Sequence, residues 1–129
     1  MSDWENRFGL SGRTALVTGA SSGIGYAIAE VFADAGADII GHGRSTDRLA
    51  DLGRAVTAKG RKFTAITGDL ACSEQTAAIA ADALAASGGR IDILVNSAGI
   101  AVTGPVVDFA IEDWARPRPL SCPRRCCRG

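Results

Sequence analysis

Short apolar runs alternate along this chain with longer segments in which apolar residues recur at helical spacing. The runs lie at residues 14–18, 38–42, 62–67 and 91–96. Each is short and largely apolar, as expected for a strand that is buried on both faces. Because helical segments separate the runs, the pattern predicts β-α-β units on a parallel sheet. With right-handed crossovers, this order gives half of a doubly wound α/β sheet and its next strand.

Three helices are predicted between the four runs. The predicted inward face of the first is apolar at helical spacing and comprises Ile24, Ala27, Ile28, Val31, Phe32 and Ala35. Gly36 supplies a left-handed stop. The second helix has a shorter stripe of Leu49, Leu52 and Val56. The third is rich in alanine, and Ser73 is its predicted N-cap.

A glycine-rich turn joins the first predicted strand to the first helix and reads Thr18-Gly-Ala-Ser-Ser-Gly-Ile-Gly25. Free backbone N–H groups and the positive end of the helix dipole point at one place there, which suits a pyrophosphate. Its predicted binding residues are Gly19, Ser21, Ser22, Gly23, Ile24 and Gly25. Gly19 is expected to form the tight turn, and Gly23 is expected to let the backbone approach the ligand. Gly25 is expected to let the helix pack closely on the strand. The alternative is a structural turn without a ligand.

The turn has the spacing Gly-x-x-x-Gly-x-Gly, and two further motifs follow later strands: Gly68-Asp-Leu70 and Asn96-Ser-Ala-Gly99. Together these motifs resemble the short-chain dehydrogenase/reductase family over about residues 8–114. The resemblance implies a single Rossmann-like domain and NAD(P)-dependent oxidoreduction. With the handedness rule, it predicts the strand order 3-2-1-4.

The same resemblance implies roles on the adenosine side of the cofactor. Asp69 would accept a hydrogen bond from the adenine amino group, the Leu70 backbone would meet the ring, and Asn96, Ala98 and Gly99 would line this side. Alternatively, Asp69 is a turn or capping carboxylate, and Asn96 satisfies backbone groups at a strand end. Ser97 stands where the family usually has a second Asn.

The end of the second predicted strand bears on the choice between NAD and NADP. A carboxylate there bonds the ribose 2′-hydroxyl, whereas an arginine accommodates a 2′-phosphate. The sequence offers Arg44 and no acid, so NADP is favoured over NAD; a solvated arginine is the alternative. The single histidine, His42, is expected to fill the strand end, and Cys72 is expected to be a small buried residue.

Hydride transfer to or from a carbonyl also needs a proton donor or acceptor. In the resembled family a Tyr-x-x-x-Lys pair and an upstream Ser provide it. The single tyrosine here, Tyr26, is followed four residues later by Glu30, so no catalytic residue is assigned. We expect a truncated short-chain oxidoreductase that retains the dinucleotide-binding half. The alternative is a non-enzymatic nucleotide-binding or basic-tailed interaction module.

Charge divides the chain into two parts although the formal net charge is zero. Residues 1–114 carry a net charge of −5, and residues 115–129, rich in Arg, Pro and Cys, carry +5. The first part is predicted to be the N-terminal part of an NAD(P)-binding Rossmann domain. A helix starting within residues 108–114 is expected to stop near Arg116, because Pro117 and Pro119 follow.

Three interpretations of residues 115–129 are open. Out-of-frame translation of a GC-rich gene is favoured, giving a disordered tail. A basic nucleic-acid-binding tail is less favoured, since aromatic residues are not interleaved with the arginines. A metal site formed by Cys122, Cys126 and Cys127 is disfavoured by their spacing. A Val-Asn, then a Ser and a Tyr-x-x-x-Lys in another reading frame would support the first.

Location and partners follow from composition and from the resemblance. No apolar run approaches the roughly 18 residues of a membrane helix, and the start lacks a secretory signal, so a cytoplasmic protein without membrane contact is expected. Residues 36–41, 56–63 and 107–114 are similar to members acting on sugar acids, such as gluconate 5-dehydrogenases and 2-deoxy-gluconate 3-dehydrogenases. The expected partners are a dinucleotide and, in an intact family member only, a small alcohol or ketone. The resemblance implies that the family's association helices are not expected within this sequence.

Overall fold

A computed structural model describes residues 3–99 and 106–108 of the chain. Its elements are, in chain order, α1 (Asp3–Phe8), β1 (Thr14–Thr18), α2 (Gly23–Asp34), β2 (Asp38–Gly43), α3 (Thr46–Ala58), β3 (Phe63–Thr67), α4 (Ser73–Ala86), β4 (Ile93–Asn96) and a 3-10 turn (Val106–Asp108). The four predicted strands and three predicted helices are confirmed, but the N-cap of α4 is Cys72, and the predicted N-cap Ser73 is the first helical residue. Helix α1 was not predicted, since six residues are too short to show a helical period. The predicted tail and the helix expected within residues 108–114, apart from Asp108, lie outside the described residues.

The four strands form one parallel sheet in the order β3-β2-β1-β4, which confirms the predicted topology. Strand β1 therefore lies between β2 and β4, and its carboxyl end is central. In a sheet of this kind, ligands bind beyond the carboxyl ends of the strands, where the order reverses direction. That point is the end of β1, from which the glycine turn leaves.

Each face of the sheet is covered by its own apolar cluster. Helices α2 and α3 cover one face, where the most buried large side chains are Ile39, Leu49, Leu52, Val17 and Val56. Helix α4 covers the other face through Ile79 and Ala83, which pack with Leu16, Ile40 and Ile66. The stripe predicted for the second helix is thus confirmed as part of the core.

The inward face predicted for the first helix is wrong at three of its six positions, because Ile24, Ala27 and Val31 are exposed. The buried residues of α2 are Gly25, Ala29 and Ala33, whereas Ile24 and Val31 are 74% and 62% exposed. The glycine turn brings the helix close to the sheet, so only its small side chains fit between them. Close approach therefore outweighs hydrophobicity in deciding which face is buried.

At the amino ends of β1 and β4, Asp92 joins the two strands. Its Oδ2 accepts from the Thr14 N–H at 2.9 Å, and its own N–H donates to the Thr14 carbonyl at 2.9 Å. Arg90 and Arg13 form ion pairs with Oδ1. The pKa of Asp92 is held below its ordinary value, chiefly by the hydrogen bond from the Thr14 N–H. The hydrogen bond from Arg90 and the charges of both arginines also lower it, and together these effects outweigh desolvation.

We expect Asp92→Asn to remove part of the acid sensitivity of the fold. Because the folded pKa of Asp92 is lowered, its contribution is fully present above the unfolded pKa of about 3.9 and is lost as pH falls through the folded pKa. Urea unfolding at pH 7 and at about pH 3 should therefore show a smaller difference in the variant. Asp82→Asn, on the exposed side of α4, should keep the wild-type difference. An unchanged difference in Asp92→Asn would contradict the prediction.

Candidate functional site

A cleft of about 480 Å³ opens at the carboxyl edge of the sheet. Its lining residues come from the glycine turn, from the ends of β2 and β3 and from the segment after β4: Gly19, Ser21, Ser22, Ile24, His42, Gly43, Arg44, Gly68, Asp69, Leu70, Ala71, Ser97, Ala98 and Gly99. The topology thus brings together four segments that are far apart in the sequence.

Nine of the twelve predicted binding residues line this cleft: Gly19, Ser21, Ser22, Ile24, Arg44, Asp69, Leu70, Ala98 and Gly99. The other three lie close by. Gly23 begins α2, Gly25 is buried beneath the turn, and Asn96 is the last residue of β4, opposite Thr18. Cofactor binding by each of the twelve stays a prediction.

Five lining residues were not predicted: His42, Gly43, Gly68, Ala71 and Ser97. Four of them are chain neighbours of predicted residues, so widening each motif by one residue would have found them. His42 is the exception, because it lies within β2 and two residues before Arg44, the nearest predicted residue. It is only 3% exposed.

The first and last glycines of the turn are required by close contacts. Gly19 has φ +65°, and a Cβ there would lie 2.7 Å from the Ala98 Cα. A Cβ on Gly25 would lie 2.3 Å from the Gly19 carbonyl oxygen. The turn is therefore packed directly against the segment after β4 on one side and against α2 on the other.

Gly23 is different from these two glycines. Its φ is +60°, which disfavours a side chain, yet a Cβ there would meet no atom within 4 Å among the described residues. Only the backbone conformation requires glycine at this position. The backbone at the start of α2 is consequently uncovered.

Buried Thr18 fastens the end of β1 to the segment after β4. Its hydroxyl donates to the Val95 carbonyl oxygen at 3.3 Å and accepts from the N–H groups of Ser97 and Ala98, each at 3.2 Å. This one side chain therefore sets the position of Ala98 relative to the glycine turn. The signal was present in the sequence, because Thr18 begins the glycine motif.

The amino end of α2 has features of an anion site. Its N-cap, Ser22, makes no side-chain capping bond, and its first turn contains no acidic residue. By contrast, the N-cap of α3, Ser45, accepts a hydrogen bond from the Arg48 N–H, and Asp47 lies in the first turn. Because α2 lacks both kinds of compensation, its first N–H groups and its dipole remain available to an anion.

One cation and one anion lie on the rim of the cleft. Arg44 is exposed, and within the described residues its guanidinium makes no ion pair or hydrogen bond. Asp69 is also exposed; its Oδ1 accepts from the Ala71 N–H at 2.9 Å, and its own N–H donates to Gln75 Oε1 at 2.8 Å. Asp69 therefore acts as a turn carboxylate through Oδ1, as the alternative interpretation expected, and its Oδ2 is left for a ligand.

A family model described as short chain dehydrogenase matches residues 13–117. D-threitol dehydrogenase of Mycolicibacterium smegmatis is 44% identical over 110 residues, and 2-dehydro-3-deoxy-D-gluconate 5-dehydrogenase of Bacillus subtilis is 44% identical over 107. Each alignment covers 83% of this chain and 41% of the relative. The chain thus spans less than half the length of these relatives.

Among solved structures, L-sorbose reductase of Gluconobacter frateurii, complexed with NADPH and L-sorbose, superposes with a TM-score of 0.74 at 40% identity. The match covers 82% of this chain and 40% of that one. In the part of the chain that the structure describes, no helix is long and apolar enough to span a bilayer. The fold, the glycine turn and the matched family model agree, and the chain belongs to the short-chain dehydrogenase family, whose members are NAD(P)-dependent oxidoreductases.

Proposed function

We propose that this chain is the dinucleotide-binding part of a short-chain oxidoreductase and that it binds NADP(H) in preference to NAD(H). The observation that carries the proposal is the uncapped amino end of α2, which opens at the cleft with Arg44 on its rim. The pyrophosphate would fit the amino end of α2, and the 2′-phosphate would fit Arg44. The NADPH complex of a 40% identical structure supports the same choice.

Each segment of the cleft has its own part in holding the dinucleotide. The N–H groups at the start of α2 would hold the pyrophosphate, and Ser21 and Ser22 add hydroxyl groups. Arg44 would hold the 2′-phosphate in a charge-assisted hydrogen bond. Asp69 and Leu70 would meet adenine, and Ala98 and Gly99 would line the adenosine side. When bound, the nicotinamide supplies the hydride donor or acceptor.

We further propose that this 129-residue chain binds the dinucleotide without transferring hydride. Tyr26 is its single tyrosine; it lies in α2 and packs against the core cluster, away from the lining of the cleft. For the whole protein, the names of the relatives point to a short polyol or a sugar acid as substrate. That residues 115–129 arise from another reading frame stays a proposal as well.

The test is NADPH binding to the wild-type chain and to Gly23→Ala, measured by the fluorescence of the bound dihydronicotinamide. Alanine at φ +60° draws the turn out of its conformation, so we expect affinity to fall about tenfold. Gly60→Ala is the matched control, because Gly60 has φ +76°, open surroundings and no contact with the cleft. It should lose similar stability and keep wild-type affinity. A wild-type chain that does not bind NADPH would disprove the proposal.

A further inference from the structure

The imidazole of His42 lies between the end of β2 and the loop after β3. Its Nε2 is 2.9 Å from the Gly68 carbonyl oxygen. Because a carbonyl oxygen can only accept, Nε2 carries the proton and donates. In the neutral ring, Nδ1 is then a bare acceptor; it is buried and has no hydrogen-bond partner among the described residues.

The main chain of His42 contacts the glycine turn, on the side of the cleft opposite the loop after β3. Its carbonyl oxygen accepts from the Ala20 N–H of the glycine turn at 2.8 Å. The next residue, Gly43, packs against Ser21 so closely that a Cβ there would lie 2.8 Å from the Ser21 Cβ. His42 therefore contacts the glycine turn through its backbone and the loop after β3 through its side chain.

The loop held by this side chain carries the adenine-side carboxylate. Gly68 directly precedes Asp69, and a Cβ on Gly68 would lie 2.7 Å from Ile79 Cδ1. The bonds of Asp69 to Ala71 and Gln75 lie within its own loop and the start of α4. The imidazole bond, by contrast, links the residue before Asp69 to β2, the strand that also leads to Arg44.

We propose that His42 is a positioning residue, which places the Asp69 carboxylate at the adenine position by fixing the Gly68 carbonyl to the end of β2. This inference rests on the proposed function. A hydrocarbon side chain could fill the same space without leaving a buried nitrogen that has no partner among the described residues, which has a free-energy cost. The imidazole therefore contributes something that packing does not require, and its bond to Gly68 is that contribution.

Three substitutions separate the bond from the volume of the ring. In His42→Gln the side-chain amide nitrogen can occupy the region of Nε2 and keep the donor. In His42→Asn the amide nitrogen falls near the position of Nδ1 instead and does not reach Gly68. In His42→Leu no donor remains. Thermal unfolding followed by circular dichroism establishes that each variant is folded.

The measured quantity is the ratio of two dissociation constants, for NADPH and for its hypoxanthine analogue. The analogue has a carbonyl oxygen where adenine has the amino group that Asp69 would bind. We expect the wild type to prefer NADPH by about tenfold, since a hydrogen bond to a charged group is lost in the analogue. The Gln variant should keep this preference. The Leu and Asn variants should bind both ligands with nearly equal affinity.

A merely structural role for His42 would weaken both ligands alike and leave the ratio unchanged, which would overturn the inference. A wild type that binds NADPH without preference over the analogue would also overturn it, while leaving the proposed function standing. A wild type that binds neither would overturn both proposals. If the Leu and Asn variants do not fold although the Gln variant does, the bond serves folding and the positioning role is wrong.

Discussion

Replacing Gly19 with alanine is expected to lower the free energy of unfolding by about 2–5 kcal/mol and to abolish NADPH binding. The left-handed conformation costs a residue with a side chain about 1–2 kcal/mol. The new Cβ would also lie within 3 Å of three backbone atoms of Ser97 and Ala98, and overpacking of this kind costs about 1–3 kcal/mol. Relief requires the segment after β4 to move away from the turn. Urea unfolding measures the first effect and NADPH fluorescence the second.

Gly12→Ala is the control that measures the cost of the left-handed backbone conformation without the close contact. Gly12 has φ +76° and open surroundings, so alanine there should cost only about 1–2 kcal/mol. It lies before β1, at the opposite edge from the cleft, and should leave NADPH affinity unchanged. Equal destabilisation by the two substitutions would show that the contact with Ala98 is not a constraint on the fold.

The second large effect is expected from Arg44→Ala. We expect NADPH affinity to fall about 10–100-fold, because a charge-assisted bond to phosphate contributes about 1.5–3 kcal/mol. NADH has no 2′-phosphate, so its affinity should change by less than about threefold. The measurement is a pair of fluorescence titrations at fixed, low ionic strength, since exposed charges are screened by salt.

Arg48→Ala is the matched control for Arg44→Ala. Arg48 is an exposed arginine in the first turn of α3 and does not line the cleft. Since both residues are arginines, the two substitutions change the net charge equally. It should leave the ratio of NADPH to NADH affinity unchanged. Equal loss of affinity for both cofactors in Arg44→Ala would contradict the assignment of a 2′-phosphate to this residue.

Features that depend on period and on turn chemistry could be predicted from the sequence. The four strands follow from the alternating apolar runs, and their order follows from the family resemblance with the handedness rule. Leu49, Leu52 and Val56 mark the buried face of α3 correctly. The glycines of the turn could be recognised because a positive φ or a close approach demands glycine, whereas Asp69, Leu70, Ala98 and Gly99 were assigned from the family resemblance. These are local demands, and a single sequence displays them.

Features that depend on the distance between elements could not be predicted. Helix α2 buries Ala29 and Ala33 rather than Ile24, because the glycine turn fixes how near the helix lies to the sheet. The His42 side chain reaches the Gly68 carbonyl because β2 and β3 pair with His42 opposite Ile66. Neither fact leaves a period or a motif in the sequence.

Two sets of hydrogen bonds, one at each end of β4, join it to β1 and also determine when the cleft can form during folding. Asp92 bonds the amide of Thr14 across 78 residues, and the Ser97 and Ala98 amides bond Thr18 across 79 and 80. Helices and the pairing of β1 with β2 need much shorter loops to close, and long-range closures are slow. The dinucleotide site is therefore completed late, and a refolding experiment followed by NADPH fluorescence should lag behind the recovery of helical circular dichroism.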